Sequence, residues 1–72
     1  MTPKEKADEI FTHYHNLIQE IGGELGQEIL VSILAKQCAL VAVDELIESC
    51  YKSGINYSYN FWQHVKKELE KL

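Results

Sequence analysis

Arginine is missing from this chain altogether. That removes the bidentate clamp proteins most often use on phosphate and carboxylate groups. With 7 lysines against 11 acidic residues and a net charge of −4, there is no material for a basic face. A non-specific nucleic-acid binder normally presents such a face, so that class is disfavoured, and a DNA-associated regulator is the weakest reading because no basic recognition helix is visible. Cysteine is scarce too, with Cys38 and Cys50 alone. On one continuous helix they would lie about 18 Å apart, too far to form a disulfide with each other. They are expected to be free thiols serving as small core hydrophobes in a reducing cytoplasm.

Metal-ligand spacings are also missing. No Cys-x-x-Cys, His-x-x-x-His or Glu-x-x-His occurs, and His13 and His15 would point about 200° apart around a helix. They are expected to be surface histidines, and no metal or cofactor is expected. A Gly-x-Ser-x-Gly elbow and a phosphate-cradling glycine loop are likewise lacking, so no catalytic residue is assigned and the chain reads as not an enzyme. The opening Met-Thr-Pro-Lys-Glu-Lys does not read as a signal peptide. The longest apolar run is broken by Lys36 and Gln37 and falls short of the roughly 20 residues of a membrane span. A soluble protein of the bacterial cytoplasm is the expectation.

What the chain does contain is a run from Ile29 to Ile47, ILVSILAKQCALVAVDELI, that is aliphatic on most sides. A single domain over residues 1–72 follows from the length. The pattern predicts an all-α fold, a three-helix antiparallel bundle with a long central helix. The first helix spans about 3–21, the second about 26–52 and the third about 58–71. Thr2, Pro3 and Glu5 spell a capping box and a helix start. Ala7, Phe11, Tyr14, Ile18 and Ile21 then draw one stripe, widened by Ile10 and Leu17. Gly22-Gly23 should end that helix, and a connector from Glu24 to Gln27 contains Gly26. Ser53-Gly54 should end the second helix, and Asn56 or Ser58 should cap the third, whose stripe is Phe61, Trp62, Val65, Leu69 and Leu72.

Two single-striped helices can cover only about half of the central one. The remainder predicts homo-oligomerisation through the second helix. On that helix the polar strip moves from Glu28, Ser32 and Lys36 to Asp44, Glu45, Glu48 and Lys52. Lys36 sits on the side of Leu40, Val43 and Ile47, where an apolar residue fits better. It is read as a snorkelling lysine, with an anion-binding role and an ion pair with Asp44 or a neighbouring chain as alternatives. Gln37 and Asp44 share one angular position and are read as buried polar groups that fix register, with a ligand-facing pair as the alternative. Tyr57, Tyr59, Phe61 and Trp62 are read as a core plug, with a base-stacking platform as the alternative.

The segments TPKEKA (Thr2–Ala7), AKQCALVAVDELI (Ala35–Ile47) and FWQHVKKELEKL (Phe61–Leu72) resemble a group of very small proteins encoded by phages and prophages of Bacteroidota. Ala-Lys-Gln-Cys-Ala is the most specific part, and His64 departs from the carboxylate common in similar sequences. The resemblance implies an acidic phage protein that acts by binding, often against host defence. Two versions follow. In one, a host protein is met by acidic faces around Glu24, Glu28, Asp44, Glu45 and Glu48. In the other, an oligomer encloses a small anionic nucleotide, such as a cyclic nucleotide immune signal, using Lys36 with Tyr14 or with Tyr57, Tyr59 and Trp62. The lack of arginine and the negative charge favour the protein partner.

Overall fold

In the computed structural model the described residues are 1–21 and 28–72. They form three helices, α1 (Pro3–Ile21), α2 (Glu28–Ser53) and α3 (Asn56–Lys71), packed against one another as an all-α bundle. The expected end of the first helix at Gly22-Gly23, the connector with Gly26, the second helix's start near 26, and Glu24 all lie outside the described residues.

Local chemistry explains three of the helix ends. At the start of α1, the Thr2 amide donates to Glu5 Oε1 at 3.0 Å while the Glu5 amide donates to Thr2 Oγ1 at 3.2 Å. This is the reciprocal capping box, which satisfies two otherwise orphaned backbone donors. Its hydrogen bonds to Thr2 hold the Glu5 carboxyl below its ordinary range. At the end of α2, Gly54 takes φ of +72°, where a side chain would be strained. That turn lets the Gly54 amide donate to the Tyr51 carbonyl and the Ile55 amide to the Cys50 carbonyl. The pair of bonds is a Schellman closure, and it turns the chain back at once into α3.

The third end corrects an expectation. Neither Asn56 nor Ser58 caps α3, which starts two residues earlier than predicted. Ile55 is its N-cap, in extended conformation and with no side-chain cap hydrogen bond, and the Ile55 carbonyl accepts from the Tyr59 amide at 3.1 Å. The closure at Gly54 leaves one residue, Ile55, between it and the first residue of α3. Ile55 therefore ends one helix and begins the next.

α2 and α3 run antiparallel. Lys36 meets Glu70, Asp44 meets Lys66, and Tyr51 meets Tyr59, in descending order along α3. Helix α1 packs on both, with Ala7 buried among Ala39, Val43, Val65 and Leu69. Ile10, Phe11, Tyr14, Leu40, Ile47, Phe61 and Trp62 pack around this centre. The molecule measures 43 × 20 × 16 Å, and the 26 residues of α2 set its long dimension.

On α2 the buried side chains are Val31, Ala35, Ala39 and Val43, one every fourth residue. That row is small, and small residues let helices approach closely. It is also narrow, because a helix surface is wider than a single i, i+4 line. Among the described residues no polar or charged side chain is buried, so Gln37 and Asp44 are not buried register groups within one chain. Both are exposed.

Candidate partner-binding surface on α2

The side of α2 turned away from α1 and α3 has two different halves. Its N-terminal half leaves Leu30, Ile33, Leu34 and Val41 exposed at 41, 52, 39 and 61%. Leu30, Leu34, Gln37 and Val41 follow a 4-3-4 spacing, the repeat of a helix seam that meets another helix. The C-terminal half exposes the acidic Asp44, Glu45 and Glu48, together with Leu46 and Tyr51. Asp44 pairs with Lys66 at 2.9 Å, and Glu48 pairs with Lys52 at 2.9 Å. The Asp44 carboxylate, by hydrogen bond and charge, raises the Lys66 ammonium above its ordinary pKa. Glu45 and Glu48 line a shallow polar groove of about 300 Å³ with Ser49, Lys52 and Ser53.

Two apolar grooves border α1. Tyr14, Gln37, Cys38, Val41 and Ala42 line one of about 380 Å³, and it opens directly onto the seam. The other, about 360 Å³, brings Tyr14 and His13 of α1 to Leu46 and Trp62. Tyr14 thus joins Gln37 in the first groove and Trp62 in the second.

Lys36 goes elsewhere. Its Nζ donates to the Glu70 carbonyl at 2.9 Å, capping the C-terminal end of α3 with a cation from another helix. It does not pair with Asp44, whose partner is Lys66. The half-buried Ser32 and Lys36 therefore flank the covered row of α2, while Leu30, Ile33, Leu34 and Val41 face solvent.

The aromatic group divides. Phe61 and Trp62 meet edge to face at 5.2 Å and pack against the core, as a plug should. Tyr57 is 85% exposed, and Tyr59 sits 6.3 Å from the Tyr51 ring. The cysteines are free, as expected, but they are not core residues: Cys38 is exposed and Cys50 only half-buried. Cys38 falls on the open side of α2, where residue type alone suggested burial. Of the histidines, His13 and His64 are exposed, while His15 is half-buried with its ring 5.8 Å from Phe11.

Residue-type reasoning passed over Leu30, Ile33, Leu34 and Val41 as ordinary aliphatics. The 4-3-4 spacing through Gln37 was the available signal, and it is legible only once the row Val31, Ala35, Ala39 and Val43 is known to be the covered one. Among the described residues, no helix is long and apolar enough to cross a membrane, and no group of three His, Cys, Asp or Glu is placed to share a metal ion. No protein-family model, curated protein or solved structure matches this chain.

Proposed function

We propose that this chain is a non-catalytic binding protein that occludes a protein partner with the open side of α2. The observation that carries this reading is the exposure of Leu30, Ile33, Leu34 and Val41 in one row, continued by Asp44, Glu45 and Glu48. An apolar strip beside a charged one is the composition of a protein interface, with a core that excludes water and a rim that selects by charge. The resemblance to small phage proteins supports a host component as the partner, met in the bacterial cytoplasm, with counter-defence as the purpose. The alternative, an oligomer that sequesters a cyclic nucleotide, draws less support. Its best cation, Lys36, already donates to the Glu70 carbonyl, and Tyr57 stands alone in solvent.

Affinity capture from a Bacteroidota lysate tests the reading. The unaltered chain should retain a defined host protein, and folded Leu34→Glu and Glu45→Lys variants should each lose it. Equal retention by both variants would remove the open side of α2 from binding. Thermal stabilisation by a cyclic nucleotide, with no protein retained, would move the proposal to the alternative.

A further inference from the structure

We infer that the apolar half of this open side is closed by a second copy of the chain. In this pairing α2 lies antiparallel to its twofold mate, with Leu30 opposite Val41 and Leu34 opposite Gln37. The inference rests on the reading of α2 as a binding surface and names the first occupant of that surface.

Size comes first. The exposed surface of Leu30, Ile33, Leu34 and Val41 amounts to on the order of 300 Å², the size of the apolar patches that are often functional on a monomer. Here it lies on a molecule whose whole accessible surface is 5140 Å². A stable interface takes about 800 Å² from each partner. The Tyr14–Cys38 groove opening onto the seam, and Leu17 one turn beyond Tyr14, supply more surface of the same kind.

Charge sets the direction. A parallel pairing in register would stack Asp44 on Asp44 and Glu48 on Glu48, like charges held directly opposed. An antiparallel pairing centred between Ala35 and Lys36 matches the apolar half with itself. Asp44, Glu45 and Glu48 then fall beyond the start of the mate's α2 at Glu28, away from their own counterparts.

Gln37 specifies the register. The two Gln37 side chains straddle the twofold axis, about 4.5 Å apart along the helix direction, where their amides can hydrogen-bond to each other. A slip by one helical turn in one direction would set Gln37 against the mate's Leu30, an unpaired amide against leucine. A slip in the other direction would set Glu45 against that leucine. Gln37 keeps a registering role here, at a boundary between chains.

Cross-linking tests the geometry. In a Cys38→Ser/Cys50→Ser background, a short bis-maleimide should join two chains carrying Leu30→Cys and Val41→Cys together. Chains carrying Leu30→Cys alone should not be joined, because in the antiparallel register the two Cys positions lie about 16 Å apart along the axis. Light scattering on the unaltered chain should read twice the chain mass of 8.3 kDa, and Val41→Glu should return it to the single mass with helicity intact. Cross-linking by Leu30→Cys alone, a dimer that survives Val41→Glu, or a monomer at millimolar concentration would each overturn the inference. If the chain is monomeric yet capture of a host protein still fails in Leu34→Glu, the binding surface stands and only its occupant is wrong. If Leu34→Glu changes neither mass nor capture, the binding surface itself falls.

Discussion

Val41 and Val43 stand two residues apart on one helix, 61% and 0% exposed. The same contrast separates the two long sides of α2. The row through Val31, Ala35, Ala39 and Val43 is covered by α1 and α3. The row through Leu30, Leu34, Gln37 and Val41 is left largely open by both, although three of its four residues are aliphatic. Two helices of 19 and 16 residues can bury one side of a 26-residue helix and no more. Hydrophobicity here marks two separate tasks, holding the chain together and meeting something outside it.

The sharpest way to break that contrast is to make the same change on both rows. Val43→Ala should cost about 2 kcal/mol through lost burial and the cavity it leaves. For a helical core of this size that is a large part of the roughly 3–5 kcal/mol available. Val41→Ala should change the stability of the isolated chain by less than about 0.5 kcal/mol. Urea unfolding at low protein concentration measures both, and equal costs would erase the difference between the rows.

Gly54 comes next, because it ends α2 and sets α3 along the covered row. Gly54→Ala meets no atom within 4 Å, so its cost is the positive φ alone, about 1 kcal/mol by thermal unfolding. Lys36→Met keeps the apolar stem and removes the cation at the α3 terminus. A loss of about 0.5–1 kcal/mol is expected, together with faster amide exchange in the last turn of α3.

The smallest effects are electrostatic and opposite in sign. The Lys66 pKa lies above its ordinary 10.5 in the folded chain, because of Asp44. Its contribution is complete below that ordinary value and disappears as pH rises through the folded one. Asp44→Asn should abolish this alkaline step. The Glu5 pKa lies below its ordinary 4.5, because of Thr2. Its contribution is present above that value and is lost as pH falls through the folded one. Glu5→Gln should abolish the acid step, whereas Thr2→Ala, which keeps the backbone amide donor, should only reduce it. Glu5 is exposed and Lys66 partly exposed, so unfolding followed against pH in low salt is the measurement, and added salt should shrink the alkaline step.

Features governed by near neighbours were readable from the amino acids. Thr2 and Glu5 are three apart, and Gly54 follows the last turn of α2, so the start of α1 and the end of α2 followed from spacing alone. The excess of apolar surface on the central helix was readable too, as a total. Its orientation was not, because a helix that is aliphatic all round carries little phase information of its own. Cys38 shows the consequence: on the wheel it is as apolar as Ala39, yet one is exposed and the other buried. Lys36 is the other case. It fell on the covered side as its angle predicted, but its partner is a backbone carbonyl 34 residues away, which no side-chain pattern announces. Asp44 likewise looked toward Lys36 in sequence and found Lys66 in space.

The division of α2 into a side closed by its own chain and a side closed by another can be read in one titration. Methyl NMR with a soluble paramagnetic probe reports solvent access at Val41 and Val43 as protein concentration rises. Val43 should stay protected throughout, while Val41 should be broadened in dilute solution and protected in concentrated solution. A Val41 signal that stays accessible at every concentration, or a Val43 signal that follows it, would contradict the two-sided helix.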